Sequence, residues 1–183
     1  MSDRYPEVLL VDDFFQRADA LYDTLRACVE WDTSMISRHT ASFGEPYHYS
    51  QMRYAPRPLP PSLLAVSDRL AELLDISFNN CLLNLYLSGD STMGFHRDET
   101  DGLLPGTGVA IVSLGAMRSL TFRRCDDHQV RCDFPLPAGS LLYMDAGVQD
   151  NWQHAVRKQK NVGPRMSLTW RAVRQDGENG RDT

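Results

Sequence analysis

Residues 165–171 read RMSLTWR. Polar and apolar side chains alternate without a break. Arg165, Ser167, Thr169 and Arg171 fall on one face of an extended chain, and Met166, Leu168 and Trp170 on the other. Such an alternation is the mark of a strand with one apolar face. The polar face is the informative one, because buried guanidiniums are costly unless paired. A strand that turns two arginines inward needs an anion to meet them, whereas on a solvated edge surface acids would serve. Arginine grips a carboxylate with two parallel hydrogen bonds, so a dicarboxylate could meet both side chains at once.

Similar segments surround this one. Short apolar-alternating runs recur at about 80–87, 92–97, 108–114, 118–124, 129–134, 140–144 and 152–156, split by Gly, Pro and Asp turns. With 165–173 they make eight short strands, which predicts a sandwich, barrel or jelly roll. In the first of them Asn84 and Tyr86 share one face, opposite Leu83, Leu85 and Leu87. That fits either a ligand wall or a structural hydrogen bond. Upstream, VLLV (8–11) reads as a strand, with Asp12 and Asp13 as possible caps for a helix over 17–29 carrying Ala18, Leu21, Leu25 and Val29. Pro60-Pro61 opens a second helix, 61–74, with Leu63, Leu64, Leu70, Leu73 and Leu74 on its apolar side. Residues 31–60 read as loops or short edge strands, and QDGENGRDT (175–183) as a disordered tail.

GFHRDE (94–99) places His96 and Asp98 two residues apart, hence on one face of a strand. A third ligand from elsewhere would complete a facial triad, and His154 in NWQHAV is the candidate. Two imidazoles and one carboxylate leave three open positions, the set that suits non-haem iron(II) oxygenases. An isolated H-x-D is common and carries little by itself. No carboxylate follows His39, His48 or His128 at strand spacing.

The net charge of −5 resides in residues 1–32, which carry eight acids and three arginines; the remainder is neutral. That gives no support to a polyanionic partner, though a local basic patch is compatible with it. No run approaches a membrane span or a signal peptide, so a cytoplasmic protein is the expectation. Cys28, Cys81, Cys125 and Cys132 suggest no disulfide framework. Cys125, His128 and Cys132 lie close together, but their spacing and number fit no usual zinc pattern.

Taken in order, N-L-Y, H-R-D, GVAIVSLGAMRSLTFR, PAGSLLYMDAGVQDNWQHAV and PRMSLTWR resemble the AlkB family of iron(II)/2-oxoglutarate dioxygenases, from about Phe43 to Arg171. The resemblance implies a mostly β chain with a double-stranded β-helix (jelly-roll, cupin-like) core, buttressed by the two helices in one domain, 1–174, with a substrate-lid region at 31–60. It implies Fe(II), 2-oxoglutarate and O2 as cofactor and co-substrates, with His96, Asp98 and His154 as iron ligands. Arg165, helped by Tyr86, would bind the distal carboxylate of 2-oxoglutarate. Arg171 and Asn84 would sit near the carboxylate beside the keto group, with Thr169 and Ser167 in the same pocket. EPYHYSQMRYAPRPLPPSLL resembles the lid of members that repair alkylated DNA, and Tyr49 matches an aromatic that stacks on a flipped base. Two positions depart from the family pattern. Ser167 replaces an asparagine. Thr100 replaces an acid that favours cationic bases, with Glu99 and Asp101 on either side.

The activity so implied is oxidative dealkylation of N-alkylated bases in DNA or RNA by a monomer. Arg53, Arg57, Arg118, Arg123, Arg124, Arg157 and Lys158 are candidates for phosphate contacts. Thr100 and the lack of positive charge favour the alternative, a small-molecule hydroxylase on the same scaffold.

Overall fold

In chain order the elements are β1 (Val8–Val11), α1 (Ala18–Cys28), β2 (His39–Gly44), β3 (His48–Tyr49), β4 (Met52–Arg53), α2 (Pro61–Leu74), β5 (Asn80–Tyr86), β6 (Met93–His96), β7 (Val109–Gly115), β8 (Arg118–Arg124), β9 (Arg131–Leu136), β10 (Leu141–Met144), α3 (Ala146–Asn151), β11 (Trp152–Val156) and β12 (Arg165–Arg171). This is a computed structural model; it describes residues 5–49 and 52–174, with the backbone alone at 48, 49, 52 and 53. A six-stranded sheet runs β1-β10-β7-β12-β5-β2, a four-stranded sheet runs β6-β11-β8-β9, and β3 and β4 form a small ribbon. Every named pairing is antiparallel.

The two faces of β12 explain the layering. Met166, Leu168 and Trp170 join Leu83, Leu85, Val112 and Leu114 under α1 and α2, whose Leu21, Leu25, Leu63, Val66 and Leu70 cover them. The opposite face of the large sheet looks at the small one across Ile111, Leu120, Phe122, Leu142 and Val156. Helices, large sheet and small sheet thus form three layers, and β5 and β12 are buried along their whole length. Two facing antiparallel sheets with the helices outside one of them are the jelly-roll core that was expected. The arginines of β12 are therefore in the interior rather than on a solvated edge: Arg165 and Arg171 are each 1% exposed.

Several local expectations need correction. Helix α1 begins after Arg17 with no side-chain cap, so neither Asp12 nor Asp13 caps it. Helix α2 buries the line Leu63, Val66, Leu70 at i, i+3, i+7; Leu64 falls off that line and is exposed, while Leu73 continues it but lies in the last turn, where it too is exposed. Strand β9 starts at Arg131, two residues late, because Asp127 closes a turn with the N–H groups of Gln129 and Val130. The stretch 31–60, by contrast, contains a short edge strand as expected, β2, which pairs with β5. Among the described residues no helix is long and apolar enough to cross a membrane. The predicted tail, 175–183, lies outside the described residues.

Gly44 ends β2 and turns the chain toward the ribbon. Its φ is +82°, and a Cβ built there would lie 1.9 Å from the Asn79 carbonyl oxygen. Both the left-handed backbone and that contact exclude a side chain. Gly44→Ala is expected to cost about 2 kcal/mol or more in urea unfolding; a change within error would refute this account of the turn.

Candidate active site

Three elements bring the predicted ligands together. His96 is the last residue of β6 and lies directly opposite His154 of β11, their rings 4.3 Å apart. Asp98 does not share that strand, as the H-x-D spacing suggested, because β6 stops at His96. The acid sits just beyond, where its backbone N–H donates to Gln149 Oε1 at 2.9 Å. Its carboxylate accepts from Arg171 Nη2 at 2.6 Å and faces His154 Nε2 at 3.4 Å. The ligand atoms of His96, Asp98 and His154 all lie within 4.8 Å of one another, and among the described residues this is the only such group of three. Cys125, His128 and Cys132 do not form one.

Protonation suits a divalent metal. Burial disfavours the Asp98 carboxylate, but Arg171, His154 and His96 outweigh it and bring its pKa down to about 2. Burial lowers His154 to about 4, against the opposing pull of Asp98, so its imidazole is neutral near pH 7. His96 Nδ1 contacts the Gly94 carbonyl at 2.9 Å. A carbonyl only accepts, so Nδ1 carries the proton and Nε2 keeps its lone pair.

The six residues expected around the co-substrate, Asn84, Tyr86, Arg165, Ser167, Thr169 and Arg171, line one cavity with the three ligands; Leu82, Met93, Ile111, Leu120 and Val156 complete its walls. A row of small polar side chains crosses the large sheet in register, Thr40 to Asn84 to Ser167 to Ser113. Arg165 donates through Nε to Ser113 Oγ at 3.0 Å, while its buried Nη1 has no hydrogen-bond partner among the described residues. Burial lowers its pKa to about 10, partly offset by Tyr86, whose ring lies 5.4 Å from the guanidinium carbon. Arg165 thus turns a buried cationic donor toward this cavity. A roomier cavity of about 500 Å³ opens between α1 and α2, lined among others by Phe14, Leu21 and Arg69, on the far side of the large sheet from the histidines.

Comparisons with known proteins agree with this geometry. The model of the 2OG-Fe(II) oxygenase superfamily matches residues 17–171. DNA oxidative demethylase ALKBH2 of Mus musculus is 32% identical over 179 residues, covering 85% of this chain and 75% of the relative. The chain belongs to the AlkB family of 2OG-Fe(II) oxygenases. Alpha-ketoglutarate-dependent dioxygenase alkB homolog 3 of Homo sapiens is 33% identical over 150 residues, covering 76% of this chain and 52% of that protein. The solved structure of OsALKBH1 superposes with a TM-score of 0.71 at 17% identity, over 91% of this chain and 98% of that one, which speaks to the fold. This AlkB-family chain is thus a dioxygenase that uses Fe(II), 2-oxoglutarate and O2.

Arg118, taken as a substrate or phosphate contact, is 1% exposed. It donates to the carbonyls of Ser88, Ser91 and Arg157, so it ties loops together and presents no charge to solvent. Thr100 is half-buried in a turn, its carbonyl accepting from Leu103 N, while Glu99 and Asp101 are exposed. Tyr49 lies on β3, and its side chain, like that of Arg53, is outside the described residues. On the surface Arg57 stacks on Phe43, Arg124 pairs with Asp126, and Lys158 with Asp90. Arg123 lies over Phe95 at 4.1 Å, and Arg131 covers the same ring at 5.8 Å.

Sequence reading missed Gln149, Arg38 and Tyr47. Gln149 comes from the six-residue α3, capped by Asp145, too short to show a period. Arg38, 7% exposed, donates to Asn84 Oδ1 at 2.8 Å. Tyr47 stands two residues before Tyr49, a spacing that could have singled it out.

Proposed function

We propose that this AlkB-family enzyme removes alkyl groups oxidatively from N-alkylated bases of nucleic acid, with Fe(II) held by His96, Asp98 and His154. The carrying observation is the single cavity that gathers the triad with the polar face of β12. The donor set and the spare Nη1 of Arg165 fit ferrous iron and a dicarboxylate. Relatives named as DNA oxidative demethylases supply the substrate class. Iron with 2-oxoglutarate supplies, when bound, the oxidation: one atom of O2 enters succinate as CO2 leaves, and the other enters a substrate C–H bond.

The chain's own part is placement. Arg165, Ser113 and Tyr86 form the end that takes the distal carboxylate, and Arg171 holds Asp98 ionised and oriented. The apolar wall of Leu82, Ile111, Leu120 and Val156 excludes water from the reacting carbon. A hydroxylated N-methyl group then sheds formaldehyde. Arg123 and Arg131, with no carboxylate partner among the described residues, offer phosphates a cationic patch around Phe95.

The test is formaldehyde release from a methylated oligonucleotide together with binding measured across salt. Release and salt-sensitive binding are expected. Arg123→Ala with Arg131→Ala should reduce the slope of log K against log salt by about 2 on duplex DNA. No binding at low salt, or turnover only on a small molecule, would replace this reading with a metabolite hydroxylase.

A further inference from the structure

We infer that Tyr47 is a positioning residue that ties the ribbon carrying Tyr49 to the metal-ligating Asp98, an inference that rests on the metal assignment just proposed. Tyr47 lies between β2 and the β3–β4 ribbon and is 6% exposed. Its hydroxyl donates to the backbone carbonyl of Glu99 at 2.7 Å, one residue past Asp98. Its ring lies 4.2 Å from the guanidinium carbon of Arg171, the same guanidinium that binds the Asp98 carboxylate at 2.6 Å. One side chain therefore bears on both the cation that grips the ligand and the backbone that carries it.

Asp98 needs such support because it sits beyond the end of β6, with no strand partner of its own. Gln149 fixes its N–H and Arg171 its carboxylate. The carbonyl that follows is fixed from the ribbon's foot, by Tyr47. Burial pushes the Tyr47 hydroxyl up to about 12, with Asp98 and Glu99 adding to it against Arg171, so it remains a donor throughout the working range. The other foot offers a control of the same chemistry. The Tyr54 hydroxyl meets Thr40 Oγ1 at 2.6 Å, on the edge strand β2.

Anything that moves the ribbon, a bound substrate above all, thereby moves the support of Asp98. Metal affinity and ribbon position are coupled through this contact. A coupling of this kind works in both directions: metal bound at Asp98 also steadies the foot of the ribbon.

The test uses the metal-free protein and Co(II) alone, read by its visible absorbance, so that neither 2-oxoglutarate nor substrate enters. Wild type binds Co(II), and Tyr47→Phe, which keeps the ring, weakens it about tenfold, within the range known for groups that orient ligands. Tyr54→Phe leaves it unchanged. Equal affinity for wild type and Tyr47→Phe overturns the inference, and so does equal weakening by both substitutions. Failure of wild type to bind Co(II) overturns the metal reading itself. A second measurement needs no variant. On adding Co(II) to wild type, amide exchange should slow together at 44–47 and 97–100 and stay unchanged at 54–57. Protection confined to the histidine strands would contradict the proposal.

Discussion

Replacing Asp98 with alanine is expected to reduce succinate production at least about a hundredfold, since even groups that merely orient ligands cost up to that much. Two losses combine. The site loses its only anionic ligand, and Arg171, whose side chain is 1% exposed, loses the carboxylate that compensates its burial. The second loss also falls on the fold, because breaking a buried ion pair by removing one partner costs about 3–5 kcal/mol. Asp98→Asn separates the two effects. It keeps the shape and a carbonyl acceptor for Arg171, so stability should fall less than in Asp98→Ala. The metal, however, meets a neutral ligand and is held weakly. His96→Ala and His154→Ala should lose activity to the same degree, with smaller effects on stability because neither takes a charge partner from a buried arginine. The measurements are metal content, succinate formation and urea unfolding on each variant. Full activity in Asp98→Ala would remove the centre from this cavity.

What could be read in the sequence was whatever depends on local period. The strands at 118–124 and 152–156 and the helix at 61–74 have the predicted bounds, because alternation and a Pro-Pro start are local signals. The same period assigned Arg165, Ser167, Thr169 and Arg171 to one face, and that face does line the cavity. Period does not reveal what stands opposite a face. Arg118 looked like a surface cation, yet its three acceptors come from loops at 88–91 and 157, brought together only by folding. Asp98 was placed on a strand that ends two residues earlier, because its supports, Gln149, Arg171 and Tyr47, lie up to seventy-three residues away. A leucine likewise does not announce whether its side of a helix meets a sheet. Leu64 faces water because it lies off the 63-66-70 line that meets the core, and Leu73 is exposed on that line in the helix's last turn.

The same distinction decides what Arg165→Ala should do. Arg165 contributes no metal ligand; it donates to Ser113 Oγ and lies against Tyr86. Its removal should leave Co(II) affinity near wild type while weakening 2-oxoglutarate binding by roughly a hundredfold or more. Truncating one side of a buried charge pair costs about 2–5 kcal/mol, and each 1.4 kcal/mol is a factor of about ten. The sharper reading is selectivity. On the proposed assignment the guanidinium rewards the second carboxylate of 2-oxoglutarate, so a monocarboxylate 2-oxoacid of similar length should bind wild type far more weakly. In Arg165→Ala that preference should nearly vanish, since the distal end then offers only the Ser113 and Tyr86 hydroxyls. Arg171→Ala should behave differently, because its guanidinium is engaged with Asp98, and its loss should appear first as weakened metal binding. If Arg165→Ala kept both the affinity and the dicarboxylate preference, the inward arginine would be a structural one. The anion that the alternation in RMSLTWR calls for would then have to be sought at Arg171 instead.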